Sequence, residues 1–119
     1  MQKVVGLNCL KEKSPGRNTL VWLRASNKSN SEKFIVIGAH LDHIGRGRRS
    51  SRAKKSQAGM IHPGADDNAS GIAALIEIAQ FLADLKRKGI LKSKHDILFA
   101  AWSGEEIGLI GSNHFVKEV

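Results

Sequence analysis

Cysteine is nearly absent: Cys9 is the only one in 119 residues. That excludes an internal disulfide and a cysteine-rich metal site, and a lone free cysteine reads as a small packing residue. No apolar run approaches the roughly 20 residues that a membrane-spanning helix needs. The opening stretch, MQKVVGLNCLKEK, has a short apolar patch and no cleavage-site pattern, so it does not read as a signal peptide. Localisation is left open. No internal repeat is visible. Hydrophobic residues make up 41% and charged residues 25%, an ordinary balance that argues for one globular domain or a piece of one.

Acidic residues are in short supply, 11 against 19 lysines and arginines, for a net charge of +8. Such an excess invites a nucleic-acid reading. Its distribution argues otherwise. Arg46, Arg48, Arg49, Arg52, Lys54 and Lys55 crowd one ten-residue stretch with no acid, no aromatic and no apolar periodicity. A long solvated loop over residues 45–63 is the favoured reading, with no specific nucleic-acid partner. Loops beyond about 12–15 residues are uncommon in small domains unless they are functional or disordered.

The remaining pattern is that of an α/β fold. Ser14-Pro15-Gly16 signals a turn. Residues 18–25 (NTLVWLRA) read as a strand, and residues 26–33 (SNKSNSEK) as a polar hairpin loop. Residues 34–39 (FIVIGA) form a continuous apolar run, which fits a strand covered on both faces. After GADDNASG comes a helix running to about residue 88. Ile72, Leu75, Ile76, Ala79, Leu82 and Ala83 follow its period, and Ile78, Phe81 and Leu85 widen the apolar face, so the helix is expected to be largely buried. Asn68 or Ser70 can cap its start, and Gly89 can end it. Residues 95–102 (HDILFAAW) read as a second buried strand, and a last helix begins near Gly111. Trp22 and Trp102 read as core residues.

The polar residues of interest follow the apolar runs or open the helix. They are His40 and Asp42, Asp66 and Asp67, and Glu105 and Glu106. In open α/β sheets, ligands gather at the carboxyl ends of strands. Carboxylates crowded there repel one another, and a divalent cation would compensate. Histidine with several carboxylates is a ligand set suited to zinc. In His40-x-Asp42 the two side chains share one strand face, so Asp42 could bond the His40 ring and fix its tautomer. Adjacent glutamates suit a division of labour in which one holds metal and the other moves a proton from an attacking water.

Three segments in order, FIVIGAHLDHIG, HPGADDNASGIAALIEIAQFLA and DILFAAWSGEEIGLIGSNHF, resemble the di-zinc aminopeptidases of metallopeptidase clan MH. The resemblance covers roughly residues 34–116. It implies a three-layer α/β/α fold with a mixed central sheet, and hydrolysis of N-terminal peptide bonds with two zinc ions. By the same resemblance His40 binds one zinc, Asp42 orients it, Asp67 bridges both ions, Glu105 is the general base and Glu106 binds the other zinc. The family has two further ligands, an aspartate and a histidine, from chain after this region. The 119 residues therefore read as the N-terminal portion of one zinc-peptidase catalytic domain. A C-terminal half or a partner chain would complete the site. A peptide is the implied substrate. The clan also includes glutaminyl cyclases and non-catalytic relatives, and an incomplete fragment is a further alternative. His43 reads as exposed or as a neighbour of the metal ligands, His62 as a loop residue that could approach the site, His95 as exposed, and Asp66 as structural. His114 has no match as a ligand.

Overall fold

The computed structural model describes residues 2–9, 12–27, 33–47 and 54–118, with side chains from residue 16 onward. Strands β1 (Gln2–Cys9), β2 (Glu12–Leu23) and β3 (Phe34–His40) come first. Helix α1 (Ser70–Arg87), strand β4 (Asp96–Trp102) and helix α2 (Ile110–Glu118) follow. The four strands lie in the order β1-β2-β4-β3. β1 pairs antiparallel with β2, β2 antiparallel with β4, and β3 parallel with β4. This is an α/β fold with a mixed sheet.

The sheet departs from the sequence reading in three places. β1 was not anticipated, and Cys9 ends it. β2 begins at Glu12, so the Ser14-Pro15-Gly16 segment lies inside a strand. Val4 pairs with Gly16 and Leu7 with Ser14, which leaves two residues of β1 opposite Pro15. Proline lacks the ladder N–H and is tolerated at such a bulge. The hairpin reading of residues 26–33 also fails, because β4 lies between β2 and β3. Residues 28–32 of that connection lie outside the described ones.

Burial concentrates on β4. Leu98 and Ala100 are fully buried, and Ile97 and Phe99 nearly so. Leu75 of α1 packs with Ile97 and Phe99, and Ile37, Ile72, Ala79 and Leu82 border that cluster. Each fully buried side chain of this kind contributes about 1.5–3 kcal/mol. The covering elsewhere is thinner than the sequence suggests. Ile35 in β3 is 49% exposed, and Ile76 and Phe81 in α1 are 52% and 63% exposed. β3 is the sheet's outer strand, and α1 meets the sheet through one stripe only. The expectation of a strand covered on both faces and of a largely buried helix is thus corrected within the described chain. An apolar run records a preference for burial, not the neighbour that supplies it. Trp22 is 40% exposed, flanked by Phe34 and the Arg24 guanidinium. Trp102 is half-buried against Phe115.

Among the described residues, one polar residue is fully buried. Asn18 of β2 accepts the Ser103 N–H at 3.1 Å and donates to the Gly111 carbonyl at 2.8 Å. It spans the loop between β4 and α2 and fixes both its ends. Gly111 is required at that point, since a Cβ there would lie 2.4 Å from the Asn18 oxygen and 2.3 Å from the Ser103 carbonyl. Asn18→Ala strands a buried donor and a buried acceptor, each costing about 1–3 kcal/mol. We expect urea unfolding to show a loss of roughly 2–4 kcal/mol. An unchanged midpoint would remove Asn18 from this role.

Candidate metal centre

The parallel register sets the site. His40 lies level with Trp102, so the chain leaves β3 and β4 at the same sheet edge. The Leu41 N–H continues the pairing to the Trp102 carbonyl at 2.8 Å. Asp42 and His43 follow on one side, and Glu105 and Glu106 on the other. A wide turn over Ala65–Ala69 brings in Asp67, whose φ of −120° and ψ of 86° leave the helical region. The Asn68 amide donates to the His40 carbonyl at 3.5 Å, and its oxygen accepts the Gly71 N–H at 3.1 Å. Asn68 thus joins the turn to β3 and serves the start of α1, as the sequence suggests.

Four of the residues singled out from sequence meet here. His40 Nε2 lies 3.0 Å from Asp67 Oδ1 and 4.0 Å from Glu105 Oε2. Glu106 Oε1 lies 2.6 Å from His43 Nδ1. His43, Asp67 and Glu106 each offer a ligand atom, all within 4.8 Å of one another. Among the described residues, the ion-pair partners of Asp67, Glu105 and Glu106 are histidines, and no lysine or arginine neutralises them. Imidazole nitrogens and carboxylate oxygens facing one small volume are a donor set that fits zinc.

Asp42 acts through different atoms than the sequence suggests. The ring of His40 is held at Nδ1 by the main-chain carbonyl of Asp42, 3.0 Å away. The Asp42 carboxylate is turned to the other strand exit. Its Oδ1 accepts the Glu105 N–H at 3.1 Å and its Oδ2 the Glu106 N–H at 3.3 Å. A strand-alternation argument ends with the strand, and Asp42 lies two residues beyond β3. The loop beyond β4 also closes on itself, with the Gly108 and Leu109 N–H groups donating to the Glu105 carbonyl at 2.9 Å.

His43 is half-buried and paired with Glu106, so of the two sequence alternatives it is the neighbour of the site and not the exposed residue. Its signal in the sequence was the spacing His40-x-x-His43 straight after the strand. The His62 ring stands 6.4 Å from that of His43, and its Nε2 is buried without a partner among the described residues. His95 is half-buried, against expectation, with a buried Nδ1 lacking a partner among the described residues. His114 joins none of these contacts. Asp66 is exposed and accepts the Ser70 hydroxyl through its carbonyl at 2.9 Å. Arg48, Arg49 and Arg52 of the basic loop lie outside the described residues, while Arg46, Lys54 and Lys55 are exposed.

The sequence profile described as peptidase family M28 matches residues 18–119. A rat protein named aminopeptidase NAALADL1 is 47% identical over 87 residues, covering 73% of this chain and 9% of its own length. An aminopeptidase of Pseudomonas aeruginosa is 32% identical over 113 residues, covering 95% of this chain and 17% of its own. A probable lipoprotein aminopeptidase of Mycobacterium tuberculosis is 30% identical over 103 residues, covering 87% and 16%. The chain therefore spans less than a fifth of the length of these relatives. No solved structure matches it.

The Asp42 contacts generate a local test. Asp42→Ala removes the acceptor of two amides, each bond to a charged group being worth about 1.5–3 kcal/mol. Hydrogen exchange at the Glu105 and Glu106 amides should rise by roughly 10–100-fold while that of β4 stays slow. Equal protection in the variant would show that other contacts hold the loop.

Proposed function

The chain belongs to peptidase family M28, and we propose that it is the N-terminal portion of a single zinc-peptidase catalytic domain that hydrolyses N-terminal peptide bonds. The observation that carries this reading is the meeting of His40, Asp67, Glu105 and Glu106 at one sheet edge, with no lysine or arginine among the described residues to balance them. In this reading His40 and Asp67 would hold one zinc, and Asp67 together with Glu106 would hold a second. When bound, zinc supplies a Lewis acid that makes water a competent nucleophile at neutral pH. Glu105 accepts the proton of the attacking water and hands it to the leaving amine. Asp42 keeps Glu105 and Glu106 in place through their amides and His40 in place through its own carbonyl.

Two further ligands, an aspartate and a histidine, come from polypeptide beyond these residues or from a partner chain. The same polypeptide completes a three-layer α/β/α arrangement by covering Ile35, Ile76 and Phe81, now exposed. Residues 45–63 are a basic loop within the domain. Isolated 119-residue chains are expected to self-associate through the open β3 edge and the apolar faces. Sedimentation at rising concentration reads this out, and a sharp monomeric species with a cooperative melt would count against the half-domain reading.

The catalytic reading is tested in the complete domain. With zinc loaded, an unblocked aminoacyl-nitroanilide should be hydrolysed, and its N-acetylated form should not. Glu105→Gln should retain zinc by elemental analysis and lower kcat by roughly 100–10,000-fold, the usual contribution of a general base. Turnover at the wild-type rate in that variant would dismiss Glu105 as the base. Failure of the wild type to cleave unblocked substrates would overturn the aminopeptidase assignment.

A further inference from the structure

We propose that the basic loop is a substrate-recognition element, in which Arg46, Lys54 and Lys55 select peptides with carboxylate side chains shortly after the cleaved bond. The inference rests on the peptidase reading above and names a substrate class which that reading leaves open.

The two arms of the loop leave the site side by side. The His62 N–H donates to the Gly45 carbonyl at 2.8 Å, and the Gly59 N–H to the Arg46 carbonyl at 3.1 Å. The Arg46 guanidinium adds a bond to the Gly59 carbonyl at 3.3 Å. On the returning arm, Lys55–Gln57 form a single helical turn, and the Gln57 N–H donates to the Lys54 carbonyl at 2.8 Å. Gly59, with φ of +81°, reverses the chain between that turn and the paired segment. These contacts make a stalk that carries Arg46 on one arm and Lys54 and Lys55 on the other.

The stalk is rooted on the site. The His62 ring stands edge-on to that of His43, with centroids 6.4 Å apart. Gly64 lies against the His43 ring, where a Cβ would come within 2.8 Å of its Cγ. His43 in turn bonds Glu106 at 2.6 Å. Three residues of chain lead from His43 to Arg46, a span of at most about 10–11 Å. A peptide running along the stalk covers the same distance in about three residues. Met60 and Ile61, beside His62, are 58% and 68% exposed and offer that peptide apolar contact.

Charge identifies the ligand. Between His43 and Ala65 the sequence has no aspartate or glutamate. Arg46, Lys54 and Lys55 are exposed and join none of the ion pairs among the described residues, whereas Arg24 and Arg87 pair with Asp96 and Asp84. Fixed cations beside a site raise the local concentration of anionic substrates. A peptide has charges of both signs to offer. Its N-terminal ammonium suits the carboxylates at the root, and its acidic side chains suit the stalk. A phosphate backbone has one sign only and would meet Asp67, Glu105 and Glu106 there.

The test assays the complete zinc-loaded protein on three leucyl peptides that differ only at their third and fourth positions, which are glutamate, glutamine or lysine. It is run at about 0.01 M and about 1 M ionic strength, where charges act over about 30 Å and about 3 Å. At low salt we expect kcat/KM for the glutamate peptide to exceed that for the glutamine peptide roughly tenfold, through KM, with the lysine peptide lowest. High salt should bring the ratio to about one. Combining Arg46→Gln, Lys54→Gln and Lys55→Gln should do the same at low salt. A ratio of two substrates on one preparation does not depend on the fraction folded. Equal cleavage of the glutamate and glutamine peptides by the wild type would overturn the inference and leave the peptidase reading standing. So would a preference that survives the triple substitution. Duplex DNA binding that the variant loses, with a peptide ratio of about one, would assign the charge to nucleic acid and overturn the inference as well. If none of the peptides is cleaved, the peptidase reading falls and this inference with it.

Discussion

The carboxylate of Asp42 is the joint on which the site depends. β3 and β4 are parallel neighbours, so their exits run side by side and would diverge as soon as the ladder ends. Asp42 accepts two successive amides of the opposite exit and so extends the pairing past the last strand residue. The same residue's carbonyl fixes the His40 ring. Glu105 and Glu106 are thereby held by their backbone, which leaves their side chains free to face His40, His43 and Asp67. A buried Asn18 clamps the far ends of the same loop from β2. Charge-assisted bonds on one side and a satisfied buried amide on the other make a short, glycine-rich loop a defined platform.

The site concentrates negative charge in a chain whose net charge is +8. The excess of lysine and arginine is distributed elsewhere, and the pairs Arg24 with Asp96 and Arg87 with Asp84 neutralise acids far from the cluster. Among the described residues the ion-pair partners of Asp67, Glu105 and Glu106 are histidines, which are metal donors in their own right.

Apolar surface tells a related story. β4 is buried along its centre, yet α1 shows Ile76 and Phe81 outward and β3 shows Ile35 and Val36. Under the proposed half-domain reading, this is the surface that further protein would cover.

The sequence by itself determined the helix over residues 70–87, the two apolar strands that became β3 and β4, and the positions of His40, Asp67, Glu105 and Glu106 beside them. These rest on local periodicity and on residue chemistry, which travel with the sequence. Only the tertiary structure decided which strands are neighbours, and so that β4 separates β2 from β3 and the bulged β1–β2 pair extends the sheet. It alone showed the Asp42 carboxylate reaching across to two amides sixty-odd residues away, and His43 meeting Glu106. Such contacts depend on how separate segments dock. Alternation along one strand does not encode that, because sheet order and loop path are set by the packing of whole elements.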